Sequence, residues 1–234
     1  MFAKKTTKAF ASEIRDLSRM LAEMSGLAED QVAHVIKALA DGDPETAREV
    51  VERDAAIDAM QRTIDERVVA TIAKRRPAAA GLRDVLGILG IAGELERIGD
   101  LAKDIGKRIQ TMTGDDLTRG STLGLRHMAL AVLAQLRDVI DSLAQRDVRK
   151  AVDVWARDQD VDRLCAVLSH EVVGRMTRDP GAVTFGIDLL FCTKNLERIG
   201  DHATNIAEAI YYMVEGERLL GERPKAEATS MLAT

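Results

Sequence analysis

Leu95-Glu96-Arg97-Ile98-Gly99-Asp100 occurs a second time in the chain, as Leu196-Glu197-Arg198-Ile199-Gly200-Asp201. Six consecutive identities within 234 residues mark an internal repeat, and a repeat limits the fold more tightly than any local propensity. The likeness continues upstream at a slightly different spacing. Leu39-Ala40, Asp43, Ala47, Arg53-Asp54 and Asp58 align with Leu143-Ala144, Asp147, Ala151, Arg157-Asp158 and Asp162. Each half therefore carries an Asp-x-x-x-Asp pair and, further on, a Glu-x-x-x-Asp pair.

The unit being repeated is helical. Aromatic residues make up 3% of the chain, while Ala, Leu, Ile, Val and Met are abundant, a mixture that favours helices over strands. Four prolines punctuate it. A first helix is expected from about Thr7 to Ala40, loosened at Ser25-Gly26. Asp43 caps a second, from Pro44 to about Arg75, with proline at the first helical position where its missing N–H does no harm. Pro77 opens a third, to about Met112. Gly87, Gly90, Gly93, Gly99 and Gly106 lie in that third helix and leave room for close neighbours. Thr113-Gly114-Asp115-Asp116 is a loop near mid-chain. A fourth helix follows from about Leu117 to Ala144, a fifth, capped by Asp147, ends near Arg178, and a sixth runs from about Ala182 to Glu215 after the Asp179-Pro180-Gly181 turn.

Short connections make sequential helices antiparallel neighbours. The expected fold is all-α: six long helices in two tandem three-helix bundles, end to end or side by side, related by an internal pseudo-two-fold repeat. The first unit covers residues 1–114, the second 115–221, and 222–234 form a flexible tail.

The acidic pairs acquire a meaning once the hairpins are folded. Residues four apart share one helix face. Asp58 lies nineteen residues before Pro77 and Glu96 nineteen after it, and Asp54 and Asp100 are each twenty-three away. In the second half, Asp162 with Glu197 and Asp158 with Asp201 are symmetric about the Asp179-Pro180 junction. Packed helix axes sit about 8–10 Å apart, so four carboxylates per half can converge at one level. Such a group can splay into water, pair with Arg53, Arg97, Arg157 and Arg198 one residue away, or bind a cation. All-oxygen ligands suit Mg, Ca or Mn, and carboxylate clusters also take Fe or Zn. Asp104 and Asn205 stand one turn beyond the two motifs as further candidate ligands.

Other chemistries are disfavoured. A net charge of −5 argues against a nucleic-acid footprint. Cys165 and Cys192 form neither a disulfide framework nor a zinc pattern and read as buried reduced thiols. No histidine follows a Glu by three residues, which removes the di-iron enzyme pattern. His202 either lends a nitrogen to the acidic group or faces solvent or the neighbouring helix. Phosphate loops, serine elbows and Cys–His pairs are absent, so no enzyme is expected. Without a signal peptide or an apolar run of membrane-spanning length, the expected location is the cytoplasm.

The doubled Leu-Glu-Arg-Ile-Gly-Asp, each copy in the third helix of a three-helix half, resembles the signature of the PhoU family of phosphate-uptake regulators. Ile57-Asp58, Ile72-Ala73-Lys74-Arg75 before Pro77, and Asn205-Ile206 share in that likeness. The resemblance implies a cytoplasmic, often dimeric regulator without catalytic activity. It implies work with the ATPase subunit of the phosphate ABC transporter and a membrane sensor histidine kinase, negative regulation of the phosphate-starvation response, and peripheral membrane contact. It also implies divalent or trivalent metal ions, Mg, Mn, Fe or Zn, on Glu96, Asp100, Glu197 and Asp201, with Asp54, Asp58, Asp158 and Asp162 opposite them. Asn205 replaces Asp104 in the second copy, which makes the two sites unequal. The competing readings are a carboxylate-bridged metalloenzyme on the same bundle and a metal-free helical scaffold.

Overall fold

The structure is a computed structural model and describes residues 2–112 and 122–219. The loop Thr113-Gly114-Asp115-Asp116, the start of the fourth helix at Leu117 and the tail 222–234 lie outside the described residues. Seven α-helices are described: α1 (Phe2–Asp41), α2 (Pro44–Arg75), α3 (Ala79–Ile109), α4 (Thr122–Gln145), α5 (Val148–Ala156), α6 (Asp158–Arg178) and α7 (Val183–Glu215). A 3₁₀ turn, Pro180–Ala182, precedes α7. Because α5 and α6 together fill the place of one long helix, the architecture is the expected pair of three-helix units.

Local chemistry sets most of the boundaries. The Asp43 side chain accepts from the backbone N–H groups of Glu45 and Thr46, and Pro44 takes the first helical position. Asp147 repeats the device on Arg149 and Lys150. Gly42 precedes the first cap with φ 65°, and Arg146 occupies the equivalent place with φ 51°. A β-carbon in that left-handed region is disfavoured, so the second copy keeps the turn under greater backbone strain. Arg76, at φ 46°, closes α2 with its N–H bonded to Ile72 O.

Three boundaries differ from the sequence expectation. Packing carries α1 through Ser25-Gly26 without a break: Ser25 Oγ donates to Leu21 O at 2.9 Å, and Met24 and Ala28 on either side are fully buried. The Pro77-Ala78 link delays α3 to Ala79, where Ala78 offers no capping side chain. The fifth helix is interrupted at Arg157, which sits at φ −88°, ψ 0°. There the bonding tightens, with Arg157 N–H directed to both Asp153 O and Val154 O and Asp160 N–H directed to Arg157 O, as in a 3₁₀ turn. Arg157 uses the break to reach Asp138 on α4 at 2.6 Å.

The halves lie side by side. Within the first, α1, α2 and α3 pack mutually, and within the second α7 packs against α4, α5 and α6. Between them the principal seam is α3 against α7, the two motif-bearing helices, assisted by α1 against α4. One apolar core runs through both units, including Leu95, Ile98 and Ile105 from α3 and Leu196, Ile199 and Ile206 from α7. Each such side chain contributes about 1.5–3 kcal/mol when fully removed from water. Cys165 and Cys192 are free thiols inside this core. Burial pushes Cys192 up to about 12, with the Asp188 charge adding to it, which leaves it inert at neutral pH. No described helix is long and apolar enough to cross a membrane.

The α3 glycines divide by environment. A β-carbon on Gly106 would lie 3.0 Å from the carbonyl oxygen of Ala47 in α2, an atom that cannot swing aside. Gly90 is exposed and has nothing within 4 Å of that position. Gly106→Ala should therefore cost about 1–3 kcal/mol through overpacking, while Gly90→Ala should stabilise by about 0.5–1 kcal/mol through helix propensity. Urea unfolding of the two variants should give midpoints on opposite sides of the parent.

Candidate functional site

Helix α2 places Asp54 and Asp58 one turn apart, and α3 places Glu96 and Asp100 opposite them. The antiparallel hairpin brings the two faces to one level. Single carboxylate oxygens of Asp54, Asp58 and Asp100 all lie within 4.8 Å of one another, and they are the one such acidic group among the described residues. Asp54 is buried; Asp58 and Asp100 are half-buried.

Two side chains make this crowding tolerable. Gln31, buried on α1, donates from Nε2 to Asp54 Oδ1 at 3.2 Å, and the same group lies within bonding distance of Val50 O and Gly99 O. Its Oε1 is buried with no hydrogen-bond partner. Lys103 reaches back from α3 and sets its ammonium 2.5 Å from both Asp54 Oδ2 and Asp100 Oδ1. Burial by itself would lower Lys103, but the bonds to Asp100 and Asp54 outweigh it and hold the ammonium well above its usual range. The motif glycine makes room for this arrangement. A β-carbon on Gly99 would stand 3.0 Å from Ile57 Cδ1 and 3.2 Å from Asp54 Oδ1.

Glu96, with its side chain only 22% exposed, borders the group. Burial first, then the Asp100 charge, pushes its carboxyl above the usual range; Arg97 opposes, and Asp58 and Asp54 add. Arg97 is exposed, 3.6 Å from Glu96 and 3.9 Å from Asp100. Asp104 lies outside the cluster, exposed and paired with Lys107 at 2.9 Å. Arg53 pairs with Glu49 rather than with the cluster.

The second half uses the same frame with different donors. Asp158 is buried on α6 and accepts from Thr204 Oγ1 at 2.9 Å, while Gln135 Nε2 donates to that hydroxyl at 3.0 Å. The spacing that aligns Asp54 with Asp158 also aligns Gln31 with Gln135, and Gln135 Oε1 is likewise buried without a partner. Glu197 Oε1 accepts from Lys194 at 2.5 Å, and its Oε2 is buried with no hydrogen-bond partner. Asp162 and Asp201 are half-buried, and no three of these four acids gather as closely as the first-half group. Arg157 is drawn away to Asp138, and Arg198 is exposed.

Asn205 and His202 serve the seam between the halves. Asn205 Nδ2 donates to Glu94 Oε2 on α3 at 3.0 Å, and His202 Nδ1 lies 2.7 Å from the same oxygen. Burial by itself would raise Glu94; the His202 and Asn205 bonds, with charge from His202 and Arg97, outweigh it and hold the carboxyl below its usual range. Of the three places considered for His202, the structure shows the neighbouring helix.

Sequence reasoning missed Lys103, Thr204, Gln31, Gln135 and Glu94. The glutamines carried a readable signal, since extending the upstream alignment eight residues beyond Leu39 pairs them. The donors in the first half are all oxygen, an ammonium already stands between two of them, and a buried amide oxygen beside them lacks a partner. That chemistry fits a hard or borderline cation.

Fold and site together define an all-helical tandem-repeat protein whose first unit carries an acidic cluster able to hold a cation. The PhoU domain family matches residues 21–109 and 125–210, and the chain belongs to that family. It is 44% identical over 226 residues to a phosphate-specific transport system accessory protein PhoU homolog of Rhizobium meliloti, covering 97% of this chain and 95% of the relative. The corresponding protein of Caulobacter vibrioides is 40% identical over 225 residues, covering 96% and 98%. The crystal structure of PhoU from Pseudomonas aeruginosa superposes with a TM-score of 0.86 at 36% identity, covering 89% of this chain and all of that one. The phosphate transport system regulatory protein PhoU of Streptococcus pneumoniae gives a TM-score of 0.83 at 26% identity, covering 90% and 99%. These relatives are named as accessory and regulatory proteins rather than catalysts.

The raised Glu96 carboxyl has a definite sign in stability. The folded protein holds this proton more tightly than the unfolded chain, so stability falls as pH rises from the ordinary value of 4.5 through the raised one. Glu96→Gln should therefore raise the melting temperature of chelator-treated protein at neutral pH, with the gain shrinking as pH drops below 4.5. Thermal melts across that range check it; a lower melting temperature at neutral pH would mean that the Glu96 charge is compensated.

Proposed function

We propose that this chain is a non-catalytic regulator of phosphate uptake and phosphate homeostasis. It acts in the cytoplasm as an adaptor between the ATPase subunit of the phosphate ABC transporter and a membrane sensor histidine kinase, and it restrains the phosphate-starvation response when phosphate is plentiful. The observation that carries this reading is the 44% identity, over nearly the whole chain, to a phosphate-specific transport system accessory protein. The molecule works as a homodimer with peripheral membrane contact and without nucleic acid.

Metal ions belong to the same reading. Glu96, Asp100, Asp54 and Asp58 would hold one in the first half, and Glu197, Asp201, Asp158 and Asp162 one in the second, with Asp104 and Asn205 at the margins. Mg, Mn, Fe and Zn are the candidates. What the ion supplies is neutralisation of the acids and a fixed spacing of the hairpin helices. An acidic face repels free phosphate, which favours an adaptor over a direct phosphate receptor. A specific observation also favours a second reading, a metal-free scaffold: the Lys103 ammonium already pairs with both Asp54 and Asp100.

Deleting the gene should switch on a phosphate-starvation reporter in phosphate-rich medium, and the wild-type chain should switch it off again. The chain should also retain the transporter's ATPase subunit in a pull-down. A silent reporter in the deletion strain would remove the regulatory role. Isothermal titration of Mn²⁺ into chelator-stripped protein tests the metal. Glu96→Ala combined with Asp100→Ala should abolish first-half binding, and unchanged binding would remove that half from the proposal.

A further inference from the structure

An internal repeat aligns the chain with itself and singles out what the core does not explain. In the register of the six shared residues, α3 and α7 match Leu86 with Ile187 and Arg97 with Arg198, all exposed, and Leu89 with Leu190, both half-buried. Leu86 and Ile187 are 46% and 44% exposed. In each helix these positions share the side turned away from the core. Side by side, the two helices therefore form one outer face along their seam.

Contacts across the seam fix what lies level with what. Gly216 lies against Arg83, Met213 against Gly87, His202 and Asn205 against Glu94, and Asp188 against Arg108. The two helices run antiparallel, and the same count sets Leu86 level with Tyr212, Arg97 with Asp201, Asp100 with Arg198 and Asp104 with Lys194. All three charged pairings are of opposite sign. Within one copy, Asp104 and Lys194 pair instead along their own helices, with Lys107 and Glu197, and each keeps more than half of its side chain in water. Exposed pairs of that kind hold weakly and exchange easily.

We propose that a second copy of this chain docks on the α3/α7 face, with the two-fold axis running along the seam. Such an axis lays α3 of each copy over α7 of the other at the same level. Arg97 then meets Asp201 of the second copy, Asp100 meets its Arg198, Asp104 its Lys194 and Leu86 its Tyr212, and the symmetry makes each contact twice. No like-charged pair arises among the described exposed residues of the two helices. The area suffices as well. The 31 residues of α3 extend about 46 Å, and two helices side by side are about 20 Å wide. That gives about 900 Å² per copy, where a stable interface needs about 800 Å². This rests on the homodimer reading above and adds the surface that forms it.

The test is the mass of the purified full chain in solution, by size-exclusion chromatography with light scattering. The parent should run as a dimer that weakens as salt is raised. Asp104→Lys would oppose Lys194 of the second copy, and Lys194→Glu would oppose its Asp104. Each variant alone should lose at least about tenfold in self-association, since facing like charges are costly at an interface. Mixed in equal amounts, the two variants pair as one of each with every 104–194 contact of opposite sign, and the dimer should return. Mixing does not repair a folding defect, so its return separates docking from folding. Undiminished dimer in both single variants, or a mixture that stays monomeric, overturns the proposed face and leaves the homodimer reading standing. A monomeric parent brings down both.

Discussion

A carboxylate inside a helical bundle has to be neutralised or bonded, since an ionised group taken from water unpaired costs several kcal/mol. Both halves of this protein are arranged around that demand. Asp54 and Asp158 are 3% and 2% exposed. Each is served by a buried glutamine from the first helix of its unit: Gln31 contacts Asp54 directly, and Gln135 reaches Asp158 through Thr204. Each also meets a donor three residues beyond the motif on the third helix. The six repeated residues follow from this. Leu95 and Ile98, with Leu196 and Ile199, are fully buried anchors that fix the helix rotation. Gly99 and Gly200 admit the glutamine, whose Oε1 would lie 3.5 Å and 3.1 Å from their added β-carbons. Asp100 faces Asp54 and Asp58 on the hairpin partner, and Arg97 and Arg198 remain exposed.

The helices that carry the motifs also join the halves. Glu94, two residues before Glu96, receives His202 and Asn205, which follow Asp201 closely on α7. Arg108 pairs with Asp188 at 3.0 Å and lies 4.4 Å over the Phe191 ring along the same seam. The repeated motifs are therefore carried by a single packed helix pair, and a close-packed interior transmits displacement rather than absorbing it. A change in hairpin spacing on one side is delivered to the seam by the same helix that holds the other side in register.

Much of this was legible in the sequence because it followed from chain geometry. Equal distances about Pro77 were enough to bring Asp54, Asp58 and Asp100 together, as an antiparallel hairpin leaves little freedom in register. The same geometry explains the outlying position of Asp104. At 3.6 residues per turn, each step of four advances about 40° around the helix, so Asp104 has drifted about 80° from Glu96 and reaches solvent. Lys103 was not legible in this way. Its Cα shares the acidic face, seven residues and about 20° from Glu96, but a count of carboxylates about Pro77 does not register a cation; its long stem carries the ammonium to Asp54 and Asp100. The interruption at Arg157 was equally hidden, since no proline or glycine marks it and the Asp138 contact that accompanies it lies on another helix.

Identity between repeats therefore reports on the backbone more faithfully than on the site. The six shared residues fix how each third helix packs, and packing tolerates little change. The flanking positions sit at the edge of the acidic group, where a lysine, a threonine or a glycine all fit the helix and differ only in the charge they bring. Duplication supplied two frames with the same buried-carboxylate problem, and one solution uses an ammonium where the other uses a hydroxyl.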